Sequence, residues 1–212
     1  GSVEKIVEGT GAVSSLQAAG GRLFHTVVAG GQTTLRVMDM QTGADAEVAG
    51  SANRTLSERT VFDGTLYFIL DGALARVTGT SVEAVAGQTF TGANTLVTAP
   101  GALVFTAQPG GTPDREVFAY RSNGTFQQLS NVPGAASNAA DLAIAGDRVY
   151  FAAQDSAAGA TDAYHQHGRE LWSAALDGTG AVEAANLGQT DANPYTYTAY
   201  RQEPIYIYIL WI

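Results

Sequence analysis

The chain has 212 residues and a formal net charge of −9, from 11 basic and 20 acidic side chains, and it contains no cysteine. Phosphate binding needs clustered Lys and Arg, so this balance argues against nucleic acid as a partner. The absence of cysteine excludes disulfides and thiolate metal sites. The longest apolar run, Ile205–Ile212, has eight residues, so no segment is long enough to span a membrane.

A motif in which a turn residue or Gly precedes a short apolar strand occurs four times along the chain. Equivalent positions in the four copies are Phe24, Tyr67, Val104 and Tyr150, with spacings of 43, 37 and 46 residues. Periods of this size are typical of solenoids and propellers, and a unit of this length holds four β-strands. We therefore predict an all-β fold, a β-propeller built from about five repeats of 37–46 residues.

Each repeat is predicted to contain a weak first strand, the apolar second strand, a third strand that ends in a polar turn, and a fourth strand. The third strands are expected at 35–39, 74–77, 115–118 and 169–172. The fourth strands are expected at 44–48, 81–85, 125–129 and 181–185. No long segment has a 3.6-residue apolar period, so helices should be few; the nearest candidate is Ala135 to Ala145.

These repeats predict a single propeller-like domain over residues 1–212. Its repeats lie at approximately 10–50, 51–88, 89–131 and 132–188, with a partial fifth at 189–212 plus 2–8. Residues 2–8 resemble the fourth strand at Ser81 and have no repeat before them. In propellers an N-terminal strand commonly completes the blade that the C-terminus forms, which removes exposed edges. We expect residues 2–8 to pair in this way.

The segment from Gln154 to Gly168 is the most distinctive insertion in the chain. Its candidate metal ligands are Asp155, Asp162, His165 and His167. Imidazoles two residues apart could hold zinc, and the carboxylates could hold calcium. The alternative is a polar loop that only connects two strands. No other cofactor is predicted.

Two stretches, Arg115 to Thr125 and Arg169 to Thr179, match each other, and both run from a strand into an Asn-Gly or Asp-Gly turn. The second resembles the ELWxxDGT repeat of large secreted bacterial proteins. Leu35 to Gly43 is similar to the third-strand signature of quinoprotein-type propeller repeats. The resemblance implies a propeller and an extracellular or cell-surface location in a bacterium. It implies no chemistry, since propellers have many unrelated functions.

Three residues of the repeats are predicted to be structural. Glu116 and Glu170 occupy the same place in the two matching stretches, so a catalytic role for one would have to explain the other. His25 stands where the other repeats have Phe68, Phe105 and Phe151, and we expect it to be a packed core or rim residue.

The C-terminal segment Ile205–Ile212 has high β propensity and no charge, so its exposure would promote aggregation. It could be buried in its own propeller beside residues 2–8. It could instead insert into a neighbouring subunit as an added strand and form a homo-oligomer. A chain that ends within a blade is the third alternative.

Three functional hypotheses follow. The leading one is a non-enzymatic extracellular or cell-envelope binding or adhesion module, which presents the segments 106–114 and 152–168 to a protein or glycan partner. The second is a self-assembling, filament-type structural subunit that uses its C-terminal strand. The third is a secreted hydrolase with a carboxylate or metal site near the propeller mouth. No enzyme signature motif is present, so the sequence favours a protein that is not an enzyme.

Overall fold

The computed structural model describes residues 11–110, 112–132, 137–156 and 166–185. Within these ranges it contains sixteen strands and no helix. The strands form four antiparallel sheets of four strands each, and every sheet is built from strands that follow one another in the sequence. Consecutive four-stranded sheets are the blades of a propeller, which confirms the predicted all-β propeller fold. Residues 2–8 and the partial fifth repeat lie outside the described residues.

The first sheet contains β1 (Ala12–Ala19), β2 (Arg22–Ala29), β3 (Gln32–Asp39) and β4 (Asp45–Glu47). The second contains β5 (Leu56–Phe62), β6 (Thr65–Leu70), β7 (Ala73–Thr78) and β8 (Ser81–Ala84). The third contains β9 (Phe90–Ala99), β10 (Ala102–Pro109), β11 (Glu116–Arg121) and β12 (Phe126–Gln128). The fourth contains β13 (Ala140–Ala145), β14 (Arg148–Ser156), β15 (Gln166–Ala175) and β16 (Ala181–Ala185).

The second, third and fourth strands of all four sheets lie where the repeat pattern predicts them. The segment nearest to a helical pattern is not a helix over its second half, which forms strand β13. No helix in the described ranges is long and apolar enough to cross a membrane.

The two predicted hairpin turns are present and share one geometry. Gly124 and Gly178 have φ angles of 84° and 87°, a conformation that glycine adopts without steric cost. Asn123 Oδ1 accepts the Thr125 amide at 3.1 Å, and Asp177 Oδ1 accepts the Thr179 amide at 2.9 Å. The short polar side chains therefore fold the turns that end these third strands.

The apolar core that the described residues form lies between successive sheets, in three clusters. Phe24 and Leu35 pack with Phe68 between the first and second sheets. The second and third sheets enclose an aromatic group that includes Phe105 and Phe118, whose rings stack at 6.0 Å. Burial of a large apolar side chain contributes about 1.5–3 kcal/mol, so contacts between the sheets stabilise the repeat array.

The connector after each of the first three sheets carries a polar side chain that binds the third strand. Ser51 Oγ accepts the Leu35 amide at 3.2 Å, and Ser130 Oγ accepts the Val117 amide at 2.8 Å. In the second sheet the side-chain oxygen of Gln88 accepts the amide of Leu74 at 2.8 Å. Each bond satisfies a main-chain donor at the point where the chain passes to the next sheet.

Candidate functional site

The first strands of the four sheets form one continuous wall. Strand β1 contacts β5, β5 contacts β9, and β9 contacts β13. In a propeller the sheets are arranged around a central channel, and the strands that meet in this way lie nearest to it. The wall is therefore the inner surface of the sheet array.

Each strand of this inner wall contains a β-bulge at the same place. The extra residue lies opposite the second-strand position that His25 occupies in the first sheet. In all four strands it is a non-glycine residue in the left-handed region: Ser15 (φ 56°), Glu58 (φ 41°), Thr95 (φ 46°) and Asp141 (φ 57°). Such residues are uncommon, and bulges of this kind often occur beside functional sites. The inner wall therefore carries the same strained β-bulge in each of its four strands.

A cleft of about 290 Å³ opens between the bulges of β1 and β5. We call it the inner cleft. It combines two leucines, three small or amide side chains, one carboxylate and one guanidinium, from Ser15, Leu16, Gln17, Leu56, Ser57, Glu58 and Arg59.

Arg59 is the only cation among the described residues that line the inner cleft. Its Nη1 donates hydrogen bonds to Thr26 Oγ1 on β2 and to the Ser15 carbonyl, which is 3.4 Å away. Burial lowers the pKa of Arg59, and among the described residues no carboxylate forms an ion pair with it. The guanidinium stays charged in proteins. The inner cleft therefore holds a half-buried positive charge with no acidic partner in the described part of the chain.

Glu116 lies away from the inner cleft and is fully buried, with 0% of its surface exposed. Its carboxyl accepts hydrogen bonds from the Ser130 hydroxyl, from the Val132 amide at 3.1 Å and from the Ser137 hydroxyl at 3.3 Å. Burial raises the pKa of Glu116 to about 7, and the neighbouring Asp114 carboxylate adds to the increase. This geometry ties β11 to the connector toward the fourth sheet and offers no opening for a substrate, which agrees with the structural role predicted for Glu116. The equivalent Glu170 is also buried.

The prediction that His25 is a packed residue is confirmed, since it is 1% exposed. Its Nε2 lies 3.7 Å from Asp45 Oδ1, while the other oxygen of Asp45 accepts a hydrogen bond from Arg36 Nε at 2.7 Å. Neither ring nitrogen of His25 has a hydrogen-bond partner among the residues that the structure describes.

The structure does not test the predicted metal ligands, because the side chains of all four lie outside what it describes. Asp162 and His165 lie outside the described residues, and Asp155 and His167 belong to β14 and β15 on either side of that gap. The described residues contain no group of three His, Asp or Glu side chains that could hold a metal ion. The metal site therefore stays a prediction.

Sequence reasoning missed the bulges and Arg59, although a signal for them exists. The extra residue lies five positions before the turn that ends each first strand, at Gly20, Asp63, Pro100 and Gly146. It is followed by Leu16, Leu96 or Leu142 in three repeats, and by Arg59 in the second. A charged residue at a position that is otherwise leucine indicates that the fold does not require this arginine.

No family model matches the chain, and no curated protein matches it. Solved structures do resemble it. A puromycin hydrolase superposes with a TM-score of 0.59 at 13% identity, over 88% of this chain and 30% of that chain. A Mycobacterium tuberculosis puromycin-hydrolyzing peptidase gives 0.57 at 16%, over 90% and 31%. An oligogalacturonate lyase in complex with manganese gives 0.53 at 16%, over 85% and 55%.

At these identities the likeness is one of fold. The chain spans about a third of the length of the two hydrolases and about half of the length of the lyase. All three proteins are enzymes by their descriptions, so the propeller fold found here is one that enzymes contain.

These comparisons contradict the leading prediction of a non-enzymatic binding or adhesion module, because the solved structures that share this fold are enzymes by their descriptions. The sequence argument relied on the absence of local enzyme motifs. The absence of local motifs does not exclude an enzyme that contains a propeller. Its catalytic groups can come from different blades or from another part of the protein, so they have no fixed spacing in the sequence.

Proposed function

We propose that this chain is the propeller part of a hydrolytic enzyme and that the inner cleft binds part of the substrate. The described residues that line the cleft include a cation but no arrangement of nucleophile and base. In this proposal the cleft positions the substrate, and other groups of the enzyme carry out the bond cleavage. The likeness to two puromycin-hydrolysing proteins supports the reaction class.

The observation that carries the proposal is the charge of Arg59. Removing a cation from water is costly unless another group compensates it, and buried charges are normally paired. Arg59 has two neutral acceptors and no carboxylate among the described residues. A charge held in this way at a cleft is characteristic of a binding site.

The test is an activity screen of the intact protein against two substrate classes, peptides with a chromogenic amide leaving group and oligomers of a uronic acid. We expect hydrolysis in one class. Arg59→Gln should raise KM more than it lowers kcat, because the cleft binds substrate and leaves the reacting bond untouched. The control is Arg54→Gln, which removes an exposed ion pair with Asp71 and should leave both constants unchanged.

Three results would contradict the proposal. The first is that neither substrate class is turned over. The second is that the sugar acid is cleaved by elimination instead of hydrolysis. The third is that Arg59→Gln and Arg54→Gln have equal effects.

Our metal proposal concerns a separate site and has a separate test. If Asp155, Asp162, His165 and His167 hold calcium or zinc, turnover of the intact protein should fall on chelation and recover on adding one of these ions. The variant His165→Ala/His167→Ala should no longer respond. The resemblance to secreted bacterial repeat proteins supports a location outside the cell, which fractionation of the producing cells would test.

A further inference from the structure

We infer that the inner cleft binds a carboxylate group through the Nε–Nη2 edge of Arg59. The inference rests on the proposed function in one respect, since it takes this carboxylate to be part of the substrate.

The hydrogen bonds of Arg59 leave one particular edge of the guanidinium free. Both bonds come from Nη1, one to Thr26 Oγ1 and one to the Ser15 carbonyl. They fix the plane of the group against β1 and β2. Among the described residues no acceptor contacts Nε or Nη2. These two nitrogens present parallel N–H donors whose spacing matches the two oxygens of a carboxylate, and this bidentate pairing is the strong form of the interaction.

The bulges position this edge. Ser15 occupies the left-handed region in β1, and its carbonyl is one of the two acceptors of Arg59. Glu58, the extra residue of β5, immediately precedes Arg59, which pairs with Phe68 of the second strand. The same bulge in the third sheet places Leu96 in the apolar core. In the second sheet the equivalent backbone position carries Arg59, whose guanidinium lies in the inner cleft.

The composition of the inner cleft favours a singly charged ligand. Arg59 supplies one positive charge, and exposed Glu58 lines the same cleft. A dianionic phosphate would meet more repulsion from Glu58 than a monoanion does, within a protein of net charge −9. Leu16 is 62% exposed and, with Leu56, can cover an apolar or neutral group next to the carboxylate. The C-terminal carboxylate of a peptide and a uronic acid share this chemistry.

The experiment is equilibrium titration of the whole chain, by calorimetry, with two matched pairs of probes. N-acetyl-leucine is compared with its amide, and galacturonate with galactose. We expect at least one acid to bind and its neutral partner to bind about 10-fold more weakly or worse, the effect of losing a charge-assisted bidentate pair. Binding of N-acetyl-leucine would identify a peptide terminus as the source of the carboxylate, and binding of galacturonate a sugar acid.

The variants test the edge of Arg59 directly. Arg59→Leu introduces the residue that three repeats carry here, so it should fold and should bind the acid about 10-fold more weakly or worse. Arg59→Lys keeps the positive charge but loses the two parallel N–H donors of the guanidinium. It should bind the acid more weakly than the unmodified chain and more tightly than Arg59→Leu. Glu58→Gln removes the nearby negative charge and should tighten binding a few-fold.

The inference is wrong if neither acid binds, if acid and neutral partner bind equally, or if folded Arg59→Leu binds as the unmodified chain does. It fails separately from the proposed function. If the chain binds an acid through Arg59 but shows no turnover, only the hydrolase proposal is contradicted. If it shows turnover but binds neither acid, only this inference is contradicted.

Discussion

The Ser130 hydroxyl forms hydrogen bonds with both the Glu116 side chain and the main chain of β11. It donates a hydrogen bond to the buried Glu116 carboxyl and accepts the Val117 amide at 2.8 Å. Ser51 accepts the equivalent Leu35 amide in the first sheet, where Thr34 stands in place of the glutamate. The serine contact therefore occurs in the first and third sheets, and in the third sheet the serine also binds a buried carboxyl group.

The stability of the protein should depend on the protonation of Glu116. Its pKa is raised in the folded chain to about 7, from an ordinary value of 4.5. At a pH between these values the folded state holds a proton that the unfolded state has lost, so the free energy of unfolding falls as pH rises through this interval. The total decrease is roughly 3 kcal/mol. We expect Glu116→Gln to lack this slope, because a glutamine amide can keep an acceptor for Val132 and donate to Ser130.

Urea denaturation at about pH 5 and about pH 8 measures this slope in both proteins. Glu47→Gln, at an exposed site in β4, is the control and should behave as the unmodified chain does. An unchanged pH dependence in Glu116→Gln would mean that the group is ionised in the folded state throughout this interval.

Ser130→Ala should destabilise the protein by about 1–3 kcal/mol, because it leaves the Val117 amide and the Glu116 carboxyl short of a partner in the interior. Ser51→Ala removes the same main-chain contact in the first sheet, without a carboxylate, and should cost less. Both values come from denaturant unfolding. Ser122→Ala, at an exposed turn position, is the control; if it is as destabilising as Ser130→Ala, the buried hydrogen bonds are not the cause.

The strands that the sequence predicted are those with strong local signals. Second strands begin after a turn residue or Gly, and third strands end in turns such as Asn123-Gly124, so both are recognisable over a few residues. The first strands have weak patterns because an extra residue at each bulge interrupts the alternation. Arg59 lies at such a bulge, and its equivalence to Leu96 is visible only when the strands are paired. The proposed binding site was hidden for that reason, and the absence of a local catalytic motif was given too much weight, because a propeller fold does not require one.

His25→Phe should stabilise the protein. The histidine is 1% exposed, and both ring nitrogens lack hydrogen bonds to the described part of the chain. Phe68 and Phe105 fill the equivalent place in two other sheets with 0% exposure. Replacing unsatisfied polar atoms with a ring of similar shape should raise the free energy of unfolding by about 1 kcal/mol. The reverse exchange, Phe105→His, should lower it by more than this amount. Thermal unfolding of the two variants tests the pair, and destabilisation by His25→Phe would show that the first sheet needs the imidazole.

Thr95→Asn should also stabilise the protein, through the backbone. Thr95 is the extra residue of the bulge in β9 and has a φ angle of 46°. A β-branched residue is a marked outlier in this region, while asparagine tolerates it, and the strain is worth about 1–2 kcal/mol. Thr91→Asn, in the same strand but outside the left-handed region, should be neutral or slightly destabilising, because asparagine has low β propensity. Chemical denaturation of both variants distinguishes relief of strain from a general effect of asparagine, since only relief of strain predicts opposite signs at the two positions.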